Sequence, residues 1–476
     1  MLSRLIWLAV GATTLLATAV AEMPSAALDR AIAARAEQYG ELAQDIWDLA
    51  EMGYLEFESS AKLQNALQAE GFKIETGIAD IPTAFTASYG RGKPVIAIMG
   101  EFDALPGLSQ GAVPERSPIA GQAAGHGCGH HLFGVGSLAA AVAVKDWLAA
   151  EQRPGTIRFY GTPAEEGGSG KVYMGRAGAF DDVDVALHWH PDDNNDASPY
   201  STLANRSAKF KFVGRASHAA QAPDAGRSAL DGVEAMNFMT NLMREHMPLD
   251  ARIHYVITNG GSAPNVVPAA AEVFYYVRGP NAQQVEELFA RVVAAAEGAA
   301  SGTETQMSYE IIHGNHSVLP NEVLAQIVDD KLRQVGGVQY TPVEQNFAIQ
   351  LATTLVGADK QVGSQVEVQP FKPYASMGST DVGDVSWVVP TTGLRAATWV
   401  PGTGAHTWQA VAAGGTSIGS KGMFVAARTL AMTAAELMAD PSKIPAVRAE
   451  FERRRGADFE YRSLLGDRAP PLDYRK

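Results

Sequence analysis

The heptapeptide Gly125-His126-Gly127-Cys128-Gly129-His130-His131 holds the chain's single cysteine beside three of its 11 histidines. A thiolate and an imidazole spaced Cys-x-His are soft and borderline donors, which favour divalent ions such as zinc. Two side chains complete no coordination shell, so further donors must come from elsewhere. Glu165-Glu166 is one source. Alone, an acidic pair beside glycines reads as a solvated turn; at a metal site, one carboxylate can bind the ion while the other takes a proton from metal-activated water. His188 and His190 stand two residues apart, so a strand presents both on one face. His406 lies in the glycine-rich Gly402-Thr403-Gly404-Ala405-His406-Thr407-Trp408, a weak signal by itself. Cys128, His130, Glu166, one of His188 and His190, and His406 together offer enough donors for two ions, provided water or a bridging ligand completes the shells. Two ions about 3.5 to 4 Å apart lower the pKa of a shared water and polarise a carbonyl oxygen, which is the chemistry of amide hydrolysis. Glu165 is left over as general base.

The elements that must position these residues follow from periodicity. Apolar spacings of three and four from Ala26 to about Gly71, as in Leu42, Ile46 and Leu49, predict helix. Short apolar runs at Phe85–Tyr89, Val95–Met99, Thr156–Tyr160 and Val183–His190 predict strands, and the Ala-rich stretch Leu132–Ala150 predicts a buried helix. This alternation describes an α/β domain with a mainly parallel sheet, whose sites lie beyond the carboxyl ends of the strands. Glu101 to Pro106, Glu165-Glu166 and His190 all fall at such ends. Between Arg206 and Gly314 the order becomes β-α-β-β-α-β, a ferredoxin-like unit inserted into the first domain. The α/β pattern resumes after Leu319, with helices over Asn321–Val335 and Gly419–Ala439 and a strand near Gly393–Val400. The expected organisation is a signal peptide at 1–21, a catalytic domain at 22–205 and 315–476, and the inserted unit at 206–314.

Residues 1–21 place Arg4 before a short apolar run and end in Ala19-Val20-Ala21, the small-x-small pattern of signal-peptide cleavage. The run is about 12 residues against the roughly 20 that span a bilayer, so export with cleavage after Ala21, periplasmic residence and no stable membrane insertion are the expectations. With 46% hydrophobic and 19% charged residues the chain is globular, and its net charge of −14 excludes a nucleic-acid partner. An exported protein with one cysteine forms no internal disulfide, so ligation or burial must protect the thiol.

Cys-Gly-His, the Glu-Glu pair, Trp189-His190-Pro191, Arg227-Ser228-Ala229-Leu230-Asp231, Pro264-Asn265-Val266-Val267, the run Ser379 to Trp387 and His406-Thr407-Trp408-Gln409 appear in that order. Together they resemble the metal-dependent amidohydrolases and peptidases that include aminoacylases, indole-acetyl-amino-acid hydrolases and glutamate carboxypeptidases. The resemblance implies a zinc-peptidase-like catalytic domain with an inserted lid and dimerisation domain, and two divalent ions, zinc or manganese, per subunit. It implies ligand roles for Cys128, His130, Glu166, His190 and His406, with Glu165 as general base. It also implies that His218, in Ser217-His218-Ala219, reaches a partner subunit's site to stabilise the oxyanion. Asn265 then hydrogen-bonds the substrate and Arg278 grips a substrate carboxylate, unless Arg278 serves a strand-end salt bridge. Asp103 orients a ligand from behind. His131 stands where many members have Asp or Asn, and Asp381 and Asp384 lie close to the site without an assigned role. The implied partners are a small acyl-amino acid or dipeptide substrate and a second copy of the chain, with a hetero-oligomer left open. Two rivals remain: a cysteine-nucleophile hydrolase using Cys128 with His126 or His130, which leaves Glu165-Glu166 and His406 idle, and a non-catalytic metal- or peptide-binding protein, in which Glu165 has no task.

Overall fold

A computed structural model describes residues 24–357 and 361–475; the expected signal peptide lies outside these residues. The helical start resolves into three helices, Pro24–Ala33, Ala36–Leu49 and Phe57–Ala69. Apolar periodicity runs through the breaks because the breaks are backbone events: Ala50 (φ 44°) and Tyr54 (φ 63°) turn the chain through left-handed conformations.

The longer strands are β1 (Lys73–Thr76), β2 (Phe85–Arg91), β3 (Val95–Gly100), β4 (Gly155–Gly161), β5 (Val185–Asp192), β6 (Ala204–Val213), β7 (Arg252–Asn259), β8 (Ala270–Gly279), β9 (Gln306–Asn315) and β10 (Thr391–Ala397). Six of them form one sheet in the order β1-β2-β4-β3-β5-β10. Strands β4, β3, β5 and β10 are mutually parallel, whereas β2 runs antiparallel to both β1 and β4. The expected parallel sheet therefore carries an antiparallel edge, a common device in large α/β sheets.

Strand β3 is buried on both faces. Ile96 and Ile98 join the core built with helices His130–Glu151 and Ser417–Ala439, while Val95, Ala97 and Met99 join the core with Tyr160, Val172 and Val385. Helix His130–Glu151 is long and apolar enough to cross a membrane, yet it is buried inside the protein over most of its length. It is the central core helix, and its burial follows from lying between the sheet and Ser417–Ala439.

Strands β6 to β9 form a separate antiparallel sheet in the order β7-β8-β6-β9. Helices Ala229–Met243 and Ala282–Gly302 pack on it around Phe210, Phe212, Val273, Tyr275 and Val292. Each helix begins at a side-chain cap: Ser228 accepts from the Asp231 amide and Asn281 from the Gln284 amide. This unit leaves the first sheet after β5 and returns before β10, two adjacent strands. Asn205 and Asn315, at its entry and exit, are register partners.

Candidate metal centre and active site

The carboxyl ends of β3, β4, β5 and β10 converge on one cleft, lined among others by Glu101, Cys128, Glu165, Glu166, His190 and His406. The Cys128 loop reaches it through Gly129, the residue before the central helix, at φ 72°. A Cβ there would lie 2.7 Å from Pro191, so only glycine fits both the conformation and the approach to β5. The His406 loop is tied to the same place by its amide, which donates to Gly127 O at 2.9 Å.

Three groups of donor atoms converge, each within 4.8 Å: Cys128, His130 and His190; Cys128, Glu166 and His406; Glu101, His130 and Glu165. The first two share the sulfur of Cys128. Of the two strand histidines, His190 enters these groups, and His188 lines the cleft deeper, against the Tyr200 ring. The His190 Nδ1–H donates to Pro191 O at 2.6 Å, which leaves the Nε2 lone pair free. Asp103 accepts from His130 Nδ1 at 2.9 Å through one oxygen and from the Glu166 amide at 2.9 Å through the other. One carboxylate thereby aligns two of the converging residues.

The donor chemistry fits a divalent metal. Glu101 Oε2 faces His130 Nε2 at 3.0 Å and Glu166 Oε1 faces His406 Nε2 at 3.3 Å, and among the described residues none of the three buried atoms Glu101 Oε2, His130 Nε2 and Glu166 Oε1 finds a partner in hydrogen-bond geometry, an arrangement that a cation seated among them would satisfy. Burial works against charge on His130, but Glu101 and Asp103 outweigh it and push the imidazole up to about 10. A negative field that retains a proton so strongly also attracts a metal ion. Burial and then the charges of Glu166 and Glu165 drive the Cys128 thiol well above its ordinary range, which denies it the activation a cysteine nucleophile needs. Burial, followed by Glu101, Glu166 and Asp381, raises Glu165 as well, a shift that suits a proton carrier.

Some site residues carry no signal in the sequence. Lys171 Nζ lies 2.6 Å from Glu101 and 2.7 Å from Asp381, all three fully buried. This gives Asp381 a partner and places a permanent ammonium under the cleft. Arg395, on β10 beside His190, pairs with Asp192 at 2.5 Å and donates to the Tyr374 hydroxyl at 3.1 Å. Asp384 accepts from the Tyr461 hydroxyl (2.7 Å) and the His316 amide (2.9 Å), a structural role. His126 and His131 pack against each other with tilted rings and hydrogen-bond the carbonyls of Ile46 and Gly414; they buttress the Cys128 loop from behind.

The remaining sequence candidates sit on the inserted unit. His218 and Asn265 lie on adjoining segments, with His218 exposed and bridged to Val266, and neither lines this chain's cleft. Arg278, near the end of β8, donates to Ser379 Oγ at 2.8 Å at the cleft wall. Among the described residues it has no carboxylate partner, so the strand-end salt bridge is not what it makes.

An α/β sheet whose parallel strands end at a thiol–imidazole–carboxylate cluster, overhung by an inserted four-stranded unit, defines a metal-dependent hydrolase. The chain belongs to peptidase family M20/M25/M40, whose profile matches residues 97–410. It is 42% identical over 454 residues to one of the subunits of the p-aminobenzoyl-glutamate hydrolase of Escherichia coli, covering 90% of this chain and 94% of that one. It is 29% identical over 432 residues to the Xaa-Arg dipeptidase of Mus musculus, covering 88% and 89%. Among solved structures, an aminobenzoyl-glutamate utilization protein from Klebsiella pneumoniae shares the fold with a TM-score of 0.60 at 20% identity, covering 86% of this chain and 98% of that one. A dinuclear metal-binding M20 peptidase from Bacillus subtilis does so with a TM-score of 0.58 at 17% identity, covering 86% and 99%.

Proposed function

We propose that the protein hydrolyses the amide bond between an acyl or aroyl group and an amino acid, in an N-acyl-amino acid, an aminobenzoyl-glutamate-like compound or a dipeptide. The observation that carries this reading is the pair of donor sets sharing Cys128, with a further carboxylate, Glu165, beside them. Two divalent ions, zinc or manganese, would be held by Cys128, His130, Glu166, His190 and His406. When bound, they supply Lewis acidity that acidifies water and polarises the scissile carbonyl. Glu165 takes the proton from the attacking water and delivers it to the leaving amine nitrogen. Asp103 keeps His130 in the tautomer that presents Nε2 to the ion.

Arg278 holds its guanidinium fork at the cleft wall with no carboxylate on it among the described residues, which suits the carboxylate of the amino-acid half, and Asn265 supplies a further substrate hydrogen bond. The names of the two relatives above, an aminobenzoyl-glutamate hydrolase and a dipeptidase, support that substrate class. His218 completes the oxyanion site from a second subunit. A homodimer through the inserted unit has material support in exposed apolar side chains on it, Phe238, Leu242, Val256 and Ile257. That the hydrolase relative is one subunit of its enzyme keeps a hetero-oligomer as the other assembly. Export and cleavage after Ala21 complete the reading, and sequencing the amino terminus of the protein from fractionated cells tests them.

The deciding experiment incubates metal-loaded protein with a panel of N-acyl and N-aroyl amino acids and dipeptides and detects the freed amino acid by mass spectrometry. Release should cease with a chelator and return with zinc or manganese. Products lacking an amino-acid half would refute the substrate class, and chelator-resistant turnover would refute the metal mechanism.

A further inference from the structure

The segment Tyr461–Arg475 runs from the root of the inserted unit to the loop bearing Glu165 and Glu166. At its start, the Tyr461 hydroxyl donates to Asp384 and His316 Nε2 donates to Arg462 O. Leu464 O accepts from Arg206 Nε of β6 at 2.9 Å, and Arg468 donates to Ile312 O and pairs with Glu310 on β9 at 2.9 Å. The segment is thus anchored before it reaches the cleft.

At its other end, two donors meet one acceptor. The Tyr474 hydroxyl donates to Glu166 O at 3.0 Å, and Arg475 Nη2 donates to the same carbonyl at 2.7 Å. A cradle receives them: a Cβ on Gly53 would lie 2.5 Å from the Tyr474 oxygen, and the Tyr474 ring meets Tyr54 edge-on at 5.6 Å. The loop they grip is strained, with Ala164 at φ 56° and Ser169 at φ 58° on either side of the acidic pair. Among the described residues Glu166 Oε1 has no partner in hydrogen-bond geometry, and His406 Nε2 stands 3.3 Å from it. The Glu166 backbone is held on both sides, the amide by Asp103 and the carbonyl by Tyr474 and Arg475.

We propose that Tyr474 and Arg475 are positioning residues that hold the Glu165-Glu166 loop in ligand geometry from behind; this rests on Glu166 being a metal ligand. Residues that orient a ligand typically change metal affinity about 10- to 100-fold when removed. The test is calorimetric titration of Mn²⁺ into metal-free wild type, Tyr474→Phe, Arg475→Met, the double variant and Arg475→Lys, with kcat and KM measured alongside. The expected result is ion binding at least about tenfold weaker in the double variant, a lower kcat at little-changed KM, an unshifted metal-free melting temperature, and recovery in Arg475→Lys. Ion affinity equal to wild type in the double variant would overturn the proposal and leave the hydrolase reading intact. A wild type that binds ions tightly, loses them on these substitutions and yet cleaves no acyl-amino acid would sink the hydrolase reading alone. If the double variant fails to fold, Tyr474→Phe, which removes a single hydroxyl, decides by the same affinity measurement.

Discussion

At the cleft, Glu101, Asp103, Glu165, Glu166 and Asp381 bring five carboxyl groups into one buried region, with Lys171 and His130 among them. Such a field is tolerable in a folded protein when a cation joins it, and it divides labour between neighbours. Glu165→Gln should lower kcat by about 10²- to 10⁴-fold, the usual worth of a general base, while calorimetry finds ion binding retained; undiminished turnover would remove Glu165 from the mechanism. Asp103→Asn replaces an acceptor shared by His130 and the Glu166 amide with a group that can satisfy only one of them. Its ion affinity should fall about 10- to 100-fold, and affinity equal to wild type would show that Asp103 merely packs. Cys128 and His130 stand out in the sequence by type and spacing, whereas Glu166 and His406 are weak signals alone and periodicity does not separate His190 from His188, so the full set emerges there only through the family resemblance. Lys171 does not stand out at all, since a lysine in a short helix looks like any solvated lysine until Glu101 and Asp381 are brought beside it by other elements.

Elements differ in how well pattern reveals them. The inserted unit is readable strand by strand because its helices are amphipathic and capped and its strands alternate faces. Strand β1 and helices Pro342–Ala352, Val382–Val388 and Trp408–Gly414 are not, since so few turns contain too few residues to establish a period. Helix Val382–Val388 carries a prediction of its own through Asp384, whose carboxyl burial pushes up to about 6 against the partial relief of its neighbours. The folded state then favours the protonated acid, so this group's stabilising contribution is present below its unfolded pKa of about 4 and is lost as pH rises through about 6. Asp384→Asn keeps an acceptor for the His316 amide and a donor towards Tyr461 and does not titrate. The melting temperature of wild type relative to this variant should therefore decline between about pH 4 and pH 6 and then level; a constant difference across that range would show that Asp384 is ionised throughout.

For the whole molecule, the position of His218 outside its own chain's cleft makes subunit exchange informative. If His218 acts in trans, mixing inactive Glu165→Gln with His218→Ala should restore about a quarter of wild-type activity, because half the dimers are mixed and each of those holds one intact site. No recovery would place His218 outside the reaction or within its own subunit. The architecture has a further consequence in its connections. The inserted unit leaves and rejoins the main sheet at Asn205 and Asn315, which face each other in register, and the strands on either side, β5 and β10, are themselves neighbours. Both crossings lie side by side, so a few residues would close the gap left by excising everything between them. The overhanging unit is consequently joined to the rest at one narrow seam, so exchanging it would replace His218, Asn265 and Arg278 together while leaving the donor side chains of the cleft in place.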